Sequence, residues 1–383
     1  MRMQLSEEQK MLREMVRDFA QTRIKPIAAE LDENERFPEE IIAEMGELGL
    51  MGIPYPERYG GADMDYVSYA IAVEEIAKVC GSTAITLAAH ISLGVGPIYL
   101  FGNEEQKMKY MPELCSGAAI GAFGLTEPQA GSDAGATQST AVDQGDHYLL
   151  NGTKVYCTNG SYAKYITVSA VTEKGKGTKG ISCFVLEKGM DGFTVGKKER
   201  KLGIRGSDTV VLHFSDVKVP KANLLGNPNE GFKQMLTVLD GGRISIAAMS
   251  LGLAEGAYEA TVNYVKERKA FNKPIAAFQA TQFKLADMYT QIQAAKHLVF
   301  DAAALKDNGE PFMRESAMAK LYASEMATRV TSQAIQLYGG YGYMREYPVE
   351  RMFRDNKICE IGEGTSEIQR LVIARTLLEE TAH

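Results

Sequence analysis

Tyr148-Leu149-Leu150-Asn151-Gly152-Thr153-Lys154-Val155-Tyr156-Cys157 is the stretch on which the fold turns. Aliphatic, β-branched and aromatic residues flank an Asn-Gly pair, the pattern of two strands joined by a two-residue turn. A hairpin with its turn at Asn151-Gly152 is therefore expected. Strand character extends on both sides, from about Gly121 to Leu225. It is clearest at Thr209 to Val219, where Val210, Leu212 and Phe214 alternate with Val211, His213 and Ser215. Gly175 to Gly180 is a Lys/Gly loop between two apolar runs and reads as a solvated turn.

Outward from this β island both flanks are helical. From Ser6 to about Cys115, Met11, Met15 and Phe19 fall on one helical face, and Ile41, Met45 and Leu48 repeat the spacing. Turn clusters at Gly60-Gly61 and Gly94-Val95-Gly96-Pro97 punctuate this part. After Gly231 the apolar positions Phe232, Leu236, Leu239, Val262 and Val265 predict one long helix ending near Lys269. Gln282 to Lys306 and Glu315 to Tyr338 form two more, the second with Met318, Tyr322, Met326 and Val330 as a packing stripe. Ser366 followed by Gln369 makes a capping box, so a fourth helix should begin at about Glu367 and run through Leu371 and Leu377 to Glu380. Four long helices are the count for an antiparallel bundle. The expected architecture is a multidomain α+β chain: a helical N-terminal domain over 1–118, a central, β-barrel-like β domain over 119–228, and a C-terminal four-helix bundle over 229–383.

Composition narrows the function. The chain has 383 residues, 45% of them hydrophobic, enough to bury a large core. Its net charge of −7, with basic residues scattered singly, argues against a nucleic-acid surface. Five cysteines, Cys80, Cys115, Cys157, Cys183 and Cys359, show no zinc-type spacing and fit a reducing compartment. The charged N-terminus has no signal-peptide h-region, and no apolar run reads as long enough to span a membrane, so a cytoplasmic location is expected, or the mitochondrial matrix for a processed form.

Four segments carry residues that packing alone does not require. Gly362-Glu363-Gly364 holds a carboxylate between two glycines ahead of a helix, where backbone and ligand can approach closely; a carboxylate favoured by the helix dipole is the competing reading. Phe123-Gly124-Leu125-Thr126-Glu127-Pro128-Gln129-Ala130-Gly131-Ser132-Asp133 offers hydroxyls and backbone amides to an anion or a flat heteroaromatic edge, or is simply a long polar loop. Asp240-Gly241-Gly242-Arg243 interrupts a long helix with two weak helix formers, which a close helix crossing also explains. Gln336 to Tyr343 ends another helix in glycines, as a C-cap would.

Together these segments resemble the acyl-CoA dehydrogenase family of flavoproteins over essentially the whole chain. The resemblance rests on Leu125-Thr126-Glu127-Pro128, Ala130-Gly131-Ser132-Asp133, Leu150-Asn151-Gly152, Lys154, Thr158-Asn159-Gly160, Lys201-Leu202-Gly203-Ile204-Arg205, Gln336 through Gly342, and Glu363-Gly364-Thr365. It implies oxidation of an acyl-CoA to its trans-2-enoyl-CoA, with a glutamate removing the α-proton and flavin N5 taking the β-hydride. Glu363 matches that base. Phe123, Leu125, Thr126, Gly131, Ser132, Tyr156, Cys157 and Thr158 match positions around the FAD isoalloxazine, its phosphates or the nearby substrate. Arg268, Phe271, Gln279, Gln336, Gly339 and Gly340 match residues through which a neighbouring subunit holds the adenine half, and Thr365 and Glu367 lie on the cofactor-contacting stretch beside the base. Ser132, Asp240, Arg243 and Gly364 match acyl-CoA contacts. The family further implies an obligate oligomer, a tetramer built as a dimer of dimers, and electron-transferring flavoprotein as electron acceptor.

Departures refine the expectation. The isovaleryl- and long-chain-specific branches carry the glutamate at the position of Gly242, so this chain uses the commoner arrangement. Many relatives have Trp where Tyr156 stands, and most with a glutamate at 363 have Tyr where Gly362 stands. The wording is nearest short-chain, or butyryl-CoA, dehydrogenases, so a short straight or branched acyl group is expected. An oxidase or monooxygenase on the same fold, and a non-catalytic member, are the alternatives. Nitroalkane oxidases place an aspartate at the base position, and Glu363 argues against that chemistry.

Overall fold

The computed structural model describes residues 5–380; residues 1–4 and 381–383, the outer ends of the first and last expected domains, lie outside the described residues. Helices come first, as α1 (Glu7–Phe19), α2 (Ala28–Glu33), α3 (Glu39–Glu47), α4 (Tyr66–Ala77), α5 (Gly81–Ala89), α6 (Gly96–Phe101) and α7 (Glu104–Cys115). The buried face of α1 is Leu12, Val16 and Phe19, while Met11 is 69% exposed. Met11 lies about 100° round the helix from Leu12, so the stripe read from Met11 was one position off. Leu48 is likewise exposed beside buried Ile41 and Met45.

Gly94 to Pro97 is not a turn. A π-helical segment, His90–Val95, leads straight into α6, whose first turn accommodates Pro97. The glycine serves a crossing instead, because a Cβ on Gly94 would lie 2.7 Å from the Gly121 backbone. His90 pins the same crossing: its Nδ1 accepts the Gly121 N–H at 3.0 Å, while Nε2 faces the carbonyls of Met51 and Leu114 at 3.2 and 3.1 Å. Two carbonyl partners make Nε2 the protonated nitrogen, and burial pushes the imidazole pKa down to about 4. Contrary to the sequence reading, Gly81–Phe101 and Gly231–Glu267 are long and apolar enough to cross a membrane, but most of each is buried inside the protein.

The β domain holds β1 (Ile120–Gly124), β2 (Thr140–Asp143), β3 (His147–Thr158), β4 (Ala163–Val171), β5 (Ile181–Glu187), β6 (Phe193–Lys198), β7 (Thr209–Pro220) and β8 (Leu224–Leu225). They form one sheet in the order β6-β7-β3-β2-β4-β5-β8, with β1 added parallel to β4. Val210, Leu212 and Phe214 face its core as their alternation predicts. Asn151-Gly152 is a correction. Leu150 pairs with Val217 and Gly152 with Phe214, so both flanks of the Asn-Gly pair bind the same strand and the chain does not reverse. Asn151 instead stands opposite a β-bulge in β7, at Ser215 and Asp216, sealed by reciprocal hydrogen bonds of 2.9 Å between Asn151 and Asp216. The reversal lies earlier, between β2 and β3, at Gly145.

Beneath the Phe123–Asp133 segment sits a buried ion pair. Lys154 Nζ is 2.8 Å from Glu127 Oε1 and also donates to the Leu125 carbonyl at 3.1 Å. Glu127 accepts the Gln138 and Ser139 N–H groups at 2.7 and 3.0 Å and the Thr137 hydroxyl. Burial alone would raise the Glu127 pKa, but Lys154 and these donors hold it at about 2.

After the sheet come α8 (Gly231–Glu267), a two-stranded ribbon of β9 (Lys269–Ala270) and β10 (Lys273–Pro274), then α9 (Gln279–Asp307), α10 (Met313–Tyr338), α11 (Pro348–Asn356) and α12 (Ser366–Glu380). The long α8 runs unbroken through Gly241-Gly242. It packs on α4, α9 and α10, and Cβ atoms at Gly252 and Gly256 would come within 2.2 Å of the Glu74 and Lys78 carbonyls of α4. On α10, Met326 and Val330 are buried as expected but Met318 is 37% exposed. Asp307 joins the bundle to the N-terminal helices by accepting the Tyr66 and Val67 N–H groups at 2.7 and 3.0 Å.

Lys154→Met should strand the Glu127 carboxylate and cost about 3–5 kcal/mol. Because Glu127 is held below its ordinary 4.5, its contribution is complete above that pH and is lost as pH falls toward 2. Calorimetry should therefore show a Tm deficit at pH 7 that shrinks at pH 4.

Candidate active site

The segment from Lys357 to Thr365 is laid along α10 by polar contacts. Asn356 Nδ2 donates to the Ser324 carbonyl and to Thr328 Oγ1, each at 2.9 Å, and Thr328 Oγ1 donates to Glu360. Lys320 Nζ donates to the Gly364 carbonyl. Gln369 Nε2 reaches back to the Gly364 and Glu363 carbonyls at 2.8 and 3.2 Å. This corrects the capping box expected at Ser366. Thr365 takes the capping place, its hydroxyl accepting the Ile368 N–H at 3.4 Å, and α12 starts one residue early. The Gln369 amide is thereby left to hold the loop.

With its carbonyls so held, the backbone takes left-handed angles at Glu363, φ +55°, and Gly364, φ +95°. For a glutamate that conformation costs roughly 1–3 kcal/mol. Its side chain is sent onto α8, where a Cβ added to Gly242 would lie 1.9 Å from Glu363 Oε2. Gly242 is therefore open space for a carboxylate. Glu363 is half-buried as a residue, yet Oε2 is shielded from water and has no hydrogen-bond partner among the described residues. Arg243 Nε, Ser366 Oγ and Gln369 Oε1 are equally unpartnered. Such a cluster of orphaned groups is rare in packed cores and fits a polar ligand. Burial raises the Glu363 pKa to about 7, against the opposing pull of Lys320 and Arg243. The Glu363 N–H, on the left-handed turn, donates to no described group.

Other expected site residues take varied positions. Asp240 and Arg243 are ion-paired one helical turn apart on α8, and Arg243 is buried. Ser132 and Gly131 lie exposed on the loop that Glu127 anchors, while Phe123, Leu125 and Thr126 are half-buried at its start. In β3 a bulge between Lys154 and Cys157 places Tyr156 at φ +58° and turns its ring outward, 69% exposed. The Cys157 side chain points the other way, into the sheet core, so only its backbone can meet a ligand; Thr158 is half-buried. Arg268, Gln336, Gly339 and Gly340 line one surface cavity of about 550 Å³, with Tyr264 and Tyr341 among its walls. Gly340 has open space where its Cβ would be, so nothing within the chain requires a glycine there. Phe271, 89% exposed, and Gln279, at the start of α9, lie outside that lining. Glu367 is exposed and Thr365 half-buried.

The acyl-CoA dehydrogenase N-terminal, middle and C-terminal domain models match residues 6–118, 122–217 and 229–378. The chain belongs to the acyl-CoA dehydrogenase family. It is 53% identical to the short-chain specific acyl-CoA dehydrogenase of Clostridium acetobutylicum, covering 97% of this chain and 98% of that one. Among solved structures it resembles butyryl-CoA dehydrogenase from Megasphaera elsdenii, with TM-score 0.97, 47% identity and coverage of 99% and 100%. It also resembles a chain in the structure described as the electron transferring flavoprotein of Acidaminococcus fermentans, with TM-score 0.98, 50% identity and coverage of 99% and 100%. The helical, β and helical parts are the three-domain fold of this family.

Three residues that organise the site escaped the sequence reading. Glu127 and Lys154 lie in separate segments, and only the fold brings their charges together. Lys320 sits on α10 among the buried small residues Ser316, Ala317, Ala323 and Ala327. A lysine on an apolar face at helical spacing was the available signal.

A carboxylate whose folded pKa is about 7, against 4.5 ordinarily, loses folded-state support as pH rises between those values. Glu363→Gln should therefore stabilise the protein at pH 8, by about 3 kcal/mol, and should be close to neutral at pH 4. Thermal melts of both proteins across that range check the sign.

Proposed function

We propose that this chain is a short-chain acyl-CoA dehydrogenase in which Glu363 is the base that removes the α-proton. The observation that carries the reading is the shielded, unpartnered Oε2 of Glu363 standing over Gly242. FAD is the family cofactor, and it supplies hydride acceptance from the β-carbon when bound. The residues here do the rest. A thioester α-proton is weakly acidic, so the site must favour the developing enolate oxygen with hydrogen-bond donors. The uncommitted Glu363 N–H is placed to serve as one. A base with pKa near neutrality is ionised enough to act and basic enough to accept the proton.

The fit to FAD rests on two features. Tyr156 is presented outward by its bulge beside the Glu127-anchored loop, as a ring that can cover the isoalloxazine. Arg268, Gln336, Gly339 and Gly340 form a cradle that a side chain at 340 would fill, suited to the adenine half of a cofactor shared across a subunit boundary. A tetramer, with electron-transferring flavoprotein as acceptor, completes the proposal, supported on the second point by the likeness to a chain from such a structure. The preference for a short straight or branched acyl group is supported by the likeness to the short-chain specific and butyryl-CoA relatives. Five buried, unpaired cysteines support a reducing compartment such as the cytoplasm.

An anaerobic titration of the FAD-loaded protein with butyryl-CoA should bleach the flavin absorbance, while Glu363→Gln should slow bleaching by about 10³-fold or more. Undiminished bleaching in the variant would remove Glu363 from the role given to it. Gly340→Ile should lower FAD content on purification and leave the apoprotein melting temperature unchanged, because its side chain enters open space.

A further inference from the structure

Lys320 is a lysine with 0% exposure in the middle of α10, and its ammonium donates to the Gly364 carbonyl. Burying a cation without a hydrogen-bonded carboxylate is costly, so such a lysine is seldom kept for packing. Its stem could be replaced by methionine at little cost in volume. Its charge calls for another explanation, and the geometry supplies one.

The carbonyl that Lys320 holds belongs to the residue after Glu363, at the left-handed turn. Gln369 Nε2 shares that carbonyl, yet the amide is neutral. Lys320 alone brings both a donor and a positive charge to the inner side of the turn. The charged and titratable groups facing this place are Arg243 from α8, Tyr66 and Tyr69 from α4, and Cys359 and Glu360 from the turn after α11. Glu360 is engaged by Thr328 and Lys357, and Arg243 by Asp240. Lys320 therefore has no competing carboxylate partner as close in kind as Glu363, and Arg243 has one.

We propose that Lys320 is a positioning residue for Glu363: its ammonium locks the left-handed turn through the Gly364 carbonyl and sets a positive charge beside the loop that carries the carboxylate. The inference rests on Glu363 being the base. Burial pushes the Lys320 pKa down to about 8, which keeps the ammonium charged at neutral pH and lets it discharge in mild alkali. The electrostatic pull on Glu363 then weakens above pH 8, where the carboxylate is already ionised. Arg243 remains as the second cation, so removing Lys320 shifts the titration without abolishing it.

The test uses the FAD-loaded enzyme in three forms: wild type, Lys320→Met and Lys320→Arg. Lys320→Met should move the acid limb of the kcat–pH profile up by about one unit, a roughly tenfold loss at pH 6 with under threefold loss at pH 9, and leave KM for butyryl-CoA within twofold. Lys320→Arg should restore most of the wild-type limb. Independently of turnover, pH-difference infrared spectra should show the protonated carboxyl band, assigned by its loss in Glu363→Gln, titrating at higher pH in Lys320→Met. A carboxyl titration unmoved in Lys320→Met, with only the melting temperature lowered, would overturn the proposal and leave Lys320 as scaffolding. A shifted band in an enzyme that oxidises no acyl-CoA would instead leave the electrostatic inference standing and overturn the dehydrogenase reading.

Discussion

Backbone contact between α8 and α4 is the constraint on which the remaining structure depends. Glycines at 252 and 256, one helical turn apart, let the two helices approach until a methyl group at either position would strike a carbonyl oxygen. The approach is locked by charge. Lys296 bridges Glu74 of α4 to Glu255 of α8 and Lys78 joins Glu75 to Glu255, a network buried well enough that desolvation pushes the Glu74 carboxyl up while the lysines hold Glu255 down. A network of titratable groups in a dry interface adds little to stability by itself. It does fix the register of α4 on α8, and with it the place of Tyr66 and Tyr69 opposite Gly241 and Gly242.

From that register the site follows in two layers. The helices form a wall with an opening at Gly242. The loop from Lys357 to Thr365 then delivers one carboxylate into the opening, shaped by its own turns onto the Ile358 carbonyl and by hydrogen bonds with α10 and from Gln369 on α12. The β domain is built on a parallel plan. A buried Glu127–Lys154 pair anchors a loop whose outer residues stay exposed, and a bulge in β3 turns Tyr156 toward the same exterior. In both places hydrogen-bonded groups anchor a loop from the inside, and the candidate ligand contacts lie on its outer side.

Much of this was legible in the sequence because it depends on local order. The change from helical to alternating spacing near Gly121 and back near Gly231 follows from side-chain periodicity, and α8, α9 and α10 fall within a few residues of their expected bounds. What the sequence hid depends on partners. Asn151-Gly152 has the composition of a hairpin turn, yet continues a strand opposite a bulge because both its flanks pair with β7. Ser366 has the composition of a cap, yet Thr365 takes that place and Gln369 turns back to the loop. Gly94 looks like a turn residue and is a crossing point. Glu363 stood out by its glycine neighbours, whereas Lys320, as important to the loop, lies in an Ala-rich helix and gains meaning only when Gly364 folds over it.

The shared place of Gly242 and Glu363 has an evolutionary consequence. A carboxylate on the helix at 242 and one from the loop at 363 would compete for the same few ångströms, so a chain cannot hold both in their best positions. Passing between the two family arrangements therefore requires either a lineage that tolerates a period with no base or one in which the incoming glutamate displaces the resident before the latter is lost. Gly242 is the vacancy that makes the second route physically open, since the obstacle there is the flexible tip of a side chain and not backbone. A carboxylate at this place is thus defined by where its oxygen stands, and the position in the chain that supplies it is free to change.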